Sequence, residues 1–290
     1  MTNIFQGLIT AVITPFKVNK LDLFSLEKIL NYQMAANVDA VMVSGSTGEG
    51  GSLTKEEYQL LIKTTLAVIN KKLPVIAGCH SVSTEFAVEI AKTVNMLSVD
   101  GIMCTTPAYV RPTQAGLYQH FEAIHSATNI PIMLYTVPSR TGIDFKDETI
   151  LELAKLPRIM ALKDSADDIE RPLRISAINK NFHMLADDLY ALAWNAHGGK
   201  GCVSVAANLV PKLCKQLQIE WKKGDVKKSL EIQQKLLPLY MALFCESNPI
   251  PVKYGAKLLG LCNGELRLPL TEASEVTKDK ISKVINSLHE

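Results

Sequence analysis

Arg158-Ile159-Met160-Ala161-Leu162-Lys163-Asp164 is a short apolar run that ends abruptly on charge. Before it stands a helix-like segment, Asp147 to Leu153, and before that a second apolar run, Pro131-Ile132-Met133-Leu134-Tyr135. Strand, helix, strand in this order make a βαβ unit, and uninterrupted apolar strands imply a parallel sheet buried on both faces. The alternation continues in both directions. Candidate strands start near Leu8, Ala40, Pro74, Gly101, Pro131, Ile159, His183 and Gly201, spaced by 18 to 34 residues. Between them lie helix signals. Thr54-Lys55-Glu56-Glu57 has the capping-box pattern and opens a helix through Ile69. Asp147 and Glu148 place acid in the first turn of the next, which suits the helix dipole. Phe24 to Ala36 and Gln114 to Ala127 show helical periodicity. Eight βα units in succession favour an α/β fold closed as a (β/α)8 TIM barrel over an open doubly wound sheet. After Trp221 the strand signals stop, and residues 225–246, 251–259 and 272–288 read as helices. The expected organisation is a barrel over residues 1–224 with a C-terminal helical extension over 225–290.

Composition narrows the partners. The chain has 290 residues, 47% of them hydrophobic, and 31 basic against 29 acidic residues for a net charge of +2. No basic stripe marks a nucleic-acid surface. Met1 to Ile9 lacks the basic-then-apolar order of a leader. No apolar run approaches the roughly 20 residues that span a bilayer. These features point to a soluble, cytoplasmic protein with no membrane and no nucleic acid as partner. The six cysteines form no CxxC pair and read as free buried thiols. His120 and His125 lack the spacing of a helical metal pair, so no metal site is expected.

In such a barrel chemistry sits at the C-terminal strand ends. The second strand runs into Ser44-Gly45-Ser46-Thr47-Gly48-Glu49-Gly50-Gly51, where glycines expose backbone N–H groups and Ser46 and Thr47 add hydroxyls. This is either an anion cradle or a flexible loop. It is not a Walker loop, because no Gly-Lys-Ser/Thr follows. The fifth strand ends in Tyr135, which either caps the core or works at the mouth, followed by Thr136-Val137-Pro138-Ser139-Arg140-Thr141-Gly142; Arg140 is either an ordinary surface arginine or, by its planar fork, suited to a carboxylate. The sixth ends in Lys163. A lysine there either snorkels to water or turns inwards, where desolvation favours the neutral amine that carbonyl attack requires. Asp164 reads as part of the next turn. Tyr109, after the fourth strand, is ambiguous, and Asp187-Asp188, after the seventh, reads as a helix cap rather than an acid/base pair. Taken together, hydroxyls after strand two, a tyrosine after strand five and a lysine after strand six would supply a cradle, an acid/base and a nucleophile at one mouth.

With these residues the chain resembles the dihydrodipicolinate synthase/N-acetylneuraminate lyase family over essentially its full length. The marks are Gly45-Ser46-Thr47-Gly48-Glu49, Tyr135 with Pro138, Lys163, Gly116-Leu117-Tyr118-Gln119-His120-Phe121, and Ser247-Asn248-Pro249-Ile250-Pro251-Val252-Lys253. Val137 to Gly142 resembles the members whose arginine binds a carboxylated aldehyde, whereas sialic acid lyases differ there. The resemblance implies condensation of pyruvate with L-aspartate 4-semialdehyde to 4-hydroxy-tetrahydrodipicolinate, the committed step towards diaminopimelate and lysine. It implies Lys163 as the Schiff-base lysine and Tyr135 as its proton partner. Tyr135 would be linked through Ser46 to Tyr109 of a neighbouring subunit. Thr47 would bind the pyruvate carboxylate, Arg140 the semialdehyde, and Val203 would be a backbone contact near the lysine. It further implies no cofactor, since the lysine replaces one, and a homotetramer built as a dimer of dimers. Two other readings stay open: another pyruvate aldolase, such as a sialic acid or keto-sugar-acid lyase, and a non-catalytic metabolite-binding barrel.

The chain departs from the family in places. Ser46 stands where many members have threonine, and Thr136 where many have asparagine. At the positions that bind inhibitory lysine in some members it has Lys55, Tyr58, Val82, Phe86 and Ala108. A cation and a phenylalanine replace expected contacts, so inhibition by lysine should be weak or absent.

Overall fold

A computed structural model of the chain describes residues 3–289. Met1 and Thr2, which open the stretch read above for a leader, and Glu290, the end of the expected extension, lie outside them. Eight strands carry the sheet: β1 (Gly7–Ala11), β2 (Ala40–Val43), β3 (Val75–Cys79), β4 (Gly101–Thr105), β5 (Ile132–Thr136), β6 (Ile159–Asp164), β7 (His183–Leu185) and β8 (Gly201–Ser204). Their order in it is β8-β1-β2-β3-β4-β5-β6-β7. That is sequence order with the last strand beside the first, the order of a (β/α)8 barrel and not of an open doubly wound sheet. Each expected strand lies within one residue of its expected start. β2, β3, β4, β5 and β8 are buried at every position. A fully buried Ile, Leu or Met in such a strand contributes roughly 1.5–3 kcal/mol.

The helices are α1 (Leu23–Ala35), α2 (Lys55–Ile69), α3 (Thr84–Leu97), α4 (Gln114–Ala127), α5 (Asp147–Leu153), α6 (Arg171–Ile178), α7 (Ala191–Ala196), α8 (Pro211–Lys222), α9 (Val226–Leu243), α10 (Ile250–Leu258) and α11 (Glu275–His289). Both halves of the capping box on α2 form: Thr54 Oγ1 accepts from Glu57 N, and Glu57 accepts from Thr54 N. Of the six cysteines, four are buried; Cys245 is exposed and Cys262 half-buried, which corrects the expectation that all six would be buried.

The chain resolves into two compact units, Met1–Gly7 with Pro74–Val203, and Leu8–Leu73 with Ser204–Glu290. In the first, β3 to β7 pair successively in parallel, and Ala186, just past β7, bridges to Cys202 of β8. Gly201 is required here. Its φ is +135°, and a Cβ would lie 2.0 Å from the Gly7 carbonyl oxygen.

The β5–β6 register decides which way the sixth strand's lysine faces. Ile132 pairs with Ile159, but Met133 pairs with Ala161, so Met160 is an extra residue in β6. The bulge advances the register by one and sets Tyr135 opposite Lys163 and Thr136 opposite Asp164. Strand side chains alternate with period two, so without the bulge Lys163 would turn to the other face from Tyr135. The bulged Met160 carbonyl accepts from Asn3 Nδ2 at 3.1 Å.

In the second unit β1 pairs with β2 in parallel, and a short hairpin joins Phe16–Lys17 to Lys20–Leu21. Asn208 reaches β1 twice: its Nδ2 donates to Ala11 O at 2.7 Å, and its Oδ1 accepts from Ile13 N at 3.1 Å.

Candidate active site

Lys163 is the penultimate residue of β6 yet is only 6% exposed, so it turns inwards instead of snorkelling. Its Nζ lies 4.4 Å from the centroid of the Tyr135 ring, itself 5% exposed. Such a cation–ring contact holds an amine in place without engaging its protons in ion pairs. Asp187, just after β7, lies within the field of Lys163. Burial pushes its carboxyl up, while the charge of Lys163 and a hydrogen bond with Ser165 pull it back. The capping role expected for Asp187-Asp188 is therefore corrected: α7 has Tyr190 at its N-cap, with no side-chain cap. A carboxylate after a strand looks the same in sequence whether it caps a helix or faces a charge.

Asp164 is likewise corrected from turn to strand. It is the last residue of β6, 3% exposed, and pairs with Arg171 Nη1 at 2.7 Å. Burial pushes its pKa up to about 6 against the pull of Arg171. Arg171 also pairs with Asp144 at 2.7 Å and Asp147 at 3.2 Å. Thr136 Oγ1 donates to Asp144 Oδ1 at 2.7 Å. Thus the residue that departs from the family's asparagine anchors the end of β5 to the charge network behind β6.

Val137 leads into a single helical turn, Pro138–Thr141, on which Arg140 is exposed. Thr141 ties the turn down, its one hydroxyl proton shared between Val137 O at 3.2 Å and Ile143 O at 3.1 Å. Tyr109 is 92% exposed, with a φ of +71° that is uncommon for a non-glycine residue. Val203 is fully buried, and its N–H donates to Ala186 O at 2.9 Å.

In the second unit, the loop after β2 is locked rather than flexible. Glu49 N donates to Ser46 O, and Gly50 N to Gly45 O. These two N–H groups close the loop on itself, which narrows the expected cradle to Ser46–Gly48. Ser46 is half-buried and Thr47 is 4% exposed. Gly48 has no room for a side chain, since a Cβ would lie 2.9 Å from Val12 O and 3.0 Å from Ser44 N. Thr14 Oγ1 donates to Gly48 O at 2.6 Å. Glu49 adopts a left-handed conformation and pairs with Lys253, which is fully buried. It also accepts from Arg267 N at 3.0 Å. Asn248 Nδ2 donates to Thr47 Oγ1 at 2.9 Å. Sequence reading singled out Asn248 and Lys253 only as family-like and gave them no role; their long separation from the loop hides the contact.

Among the described residues no group of three His, Cys, Asp or Glu side chains could hold a metal ion, and no helix is long and apolar enough to cross a membrane.

Residues 4–288 match the model of the dihydrodipicolinate synthetase family. The 4-hydroxy-tetrahydrodipicolinate synthase of Rickettsia bellii (strain RML369-C) is 61% identical over 291 residues, covering 99% of each chain. That of Rickettsia felis is 57% identical over 290 residues, again covering 99% of each. Among solved structures, a dihydrodipicolinate synthase from Thermotoga maritima superposes with a TM-score of 0.96 at 37% identity, covering 98% of each chain. The Acinetobacter baumannii enzyme, solved in complex with pyruvate, gives 0.95 at 36%, covering 98% of this chain and 99% of its own. With a family model matched along nearly its whole length and relatives this similar, the chain belongs to the dihydrodipicolinate synthetase family.

Proposed function

We propose that the chain condenses pyruvate with L-aspartate 4-semialdehyde to give 4-hydroxy-tetrahydrodipicolinate, the committed step towards diaminopimelate and lysine, through a Schiff base on Lys163. The observation that carries this is the buried Lys163 amine over the Tyr135 ring, placed there by the Met160 bulge. The full-length likeness to 4-hydroxy-tetrahydrodipicolinate synthases supports the substrate pair.

The Lys163 nitrogen attacks the ketone carbon of pyruvate, and the ketone oxygen leaves as water. The resulting iminium is an electron sink, so a methyl proton departs to give an enamine. The enamine carbon then bonds to the aldehyde carbon of the second substrate, whose oxygen takes up a proton. Attack by that substrate's own amine on the iminium carbon releases Lys163. Tyr135 moves protons in these steps, relayed through Ser46 and Tyr109 of a neighbouring subunit. Thr47 binds the pyruvate carboxylate, and Val203 is a backbone contact near the lysine. Arg140 orients the semialdehyde through its carboxylate, a positioning effect that reaches several kcal/mol in well-oriented reactions. The 92% exposure of Tyr109 is in keeping with a ring that works in another subunit. The working form is a cytoplasmic homotetramer, a dimer of dimers. Residues 1–224 carry the chemistry, and 225–290 are a helical extension.

The test is product formation from pyruvate with L-aspartate 4-semialdehyde, and with N-acetylmannosamine as the comparison aldehyde. Turnover of the semialdehyde alone is expected. Turnover of the sugar alone, or of neither, overturns the substrate assignment. Borohydride reduction in the presence of pyruvate should add mass to the peptide that holds Lys163. An unmodified protein would point to a binding barrel instead.

A further inference from the structure

The loop after β2 is gripped at three consecutive residues: Thr47 by Asn248, Gly48 by Thr14, and Glu49 by Lys253 and the Arg267 N–H. Two of these grips come from residues 248–267, far beyond the strands in sequence. The grip on Thr47 differs in kind from the others, because it falls on a hydroxyl rather than a carbonyl or carboxylate. A hydroxyl has one proton to donate and lone pairs to accept with. Asn248 Nδ2–H points at Thr47 Oγ1 from 2.9 Å, with both residues buried. The N–H thus occupies Thr47 as an acceptor and leaves the O–H proton for another partner. A threonine beside a carboxylate side chain would do the reverse and donate its proton inwards.

We propose that Asn248 is a positioning residue that fixes the Thr47 hydroxyl as a donor towards the pyruvate carboxylate, so that part of the selectivity for a 2-oxo acid over a simple ketone is set from the C-terminal segment. This rests on the Schiff-base reading of Lys163. The Lys253–Glu49 pair and the hydrogen bond from Arg267 N to Glu49 hold the loop two residues further on. The Thr47 oxygen therefore stays opposite Asn248.

The test compares borohydride trapping at Lys163 with two ketones. Pyruvate carries the carboxylate, and acetone has a methyl group in its place. Asn248→Asp keeps the shape of the side chain but offers Thr47 only acceptors and adds a negative charge. It should raise the half-saturating pyruvate concentration by about tenfold or more while leaving that of acetone within about twofold. Asn248→Ala, which keeps the measurement available should the aspartate variant not fold, should raise the value for pyruvate by about threefold, with acetone again unchanged. Because the effect passes through Thr47, adding Asn248→Ala to Thr47→Val should change little beyond Thr47→Val alone. Three results would overturn the proposal: an equal loss for both ketones, effects of Asn248 and Thr47 that simply multiply, or wild-type behaviour in both Asn248 variants. Failure of the wild-type protein to trap pyruvate would overturn the Schiff-base reading itself, and is told apart because it appears before any substitution is made.

Discussion

Lys163 and Lys253 are both buried lysines, 6% and 0% exposed, and each Nζ sits over an aromatic ring, at 4.4 Å from Tyr135 and 4.3 Å from Phe16. They differ in what takes up the protons. Lys253 pairs with Glu49, donates to Glu265 O at 2.6 Å, and turns its remaining side to Phe16. An ammonium has three N–H donors, and here a carboxylate, a carbonyl and a ring face surround it. Burial pushes the Lys253 ammonium down, and the Glu49 carboxylate opposes it. Lys163 has the ring and the field of Asp187, but among the described residues no carboxylate close enough for an ion pair. A nucleophile must shed a proton and turn a lone pair towards carbon. The paired lysine cannot do so without breaking a buried ion pair. Burial therefore does not mark a reactive lysine; the number of committed N–H groups does.

The sharpest way to break this comparison is to remove each lysine in turn. Lys163→Ala should abolish the borohydride adduct and cut turnover by about 10⁴-fold or more, with the urea unfolding midpoint unchanged or higher. Lys253→Met should do the opposite. It strands the Glu49 carboxylate in a dry site and should cost about 3–5 kcal/mol of stability. Adding Glu49→Gln should recover most of that loss, because no charge is then left behind. If instead Lys163→Ala unfolded the protein and Lys253→Met left its unfolding midpoint in place, the roles assigned here would be reversed.

His120 extends the comparison to a base buried in its neutral form. It is 4% exposed, its Nδ1 is 2.9 Å from Thr84 Oγ1, and burial alone lowers its pKa to about 4. An unfolded histidine titrates near 6.5, so between these values the unfolded chain binds the extra proton. His120 thus contributes full stability above about 6.5 and loses it as pH falls towards 4. At about 1.4 kcal/mol per pH unit this comes to about 3 kcal/mol. Asp164 works in the other direction. Its pKa rises from 3.8 to about 6 on folding, so the folded state takes up that proton and gains stability as pH falls through the same window. The two slopes oppose each other, and wild type alone would show little. The measurement is the difference in unfolding free energy between wild type and His120→Asn from pH 7 to pH 4. Wild type should lose ground steadily against the variant; a constant difference would mean that His120 titrates alike in the folded and unfolded chain.

The strands were legible because a parallel barrel strand is apolar at every position, and a run such as Ala40-Val41-Met42-Val43 has few other uses. Lys163 and Tyr135 were legible because charge or a hydroxyl at the end of such a run stands out. The Met160 bulge was not. Methionine fits a strand whether or not it is the extra residue, and only the pairing with β5 reveals the shift. Asp187 was misread for a related reason, since the field of Lys163 acts between different strands and leaves no spacing signature. The clamp on the Ser46–Glu49 loop joins residues about 200 apart. No local pattern encodes a contact of that separation. Asn248 and Lys253 could be noted as family-like, but their work could be read only from the structure.

A free lysine supplies the last and smallest test, because its ammonium asks of the surface what Lys253 obtains inside. By the family resemblance, the positions where lysine-inhibited relatives bind it would be Lys55, Tyr58, Val82, Phe86 and Ala108. Val82 and Phe86 are 55% and 60% exposed. None of the five is a carboxylate, and Lys55 repels a second cation. What remains is an exposed ring, worth about 0.5–1 kcal/mol to an ammonium. That is far short of the roughly 8 kcal/mol of micromolar binding. Initial rates should therefore be unchanged up to about 1 mM lysine. Phe86→Glu restores the missing carboxylate and should make the enzyme measurably sensitive in the same range. Inhibition of the wild-type protein at micromolar lysine would mean that a carboxylate reaches this face from elsewhere, and that a ring without one is a poorer guide to ammonium binding than the Lys253 pocket suggests.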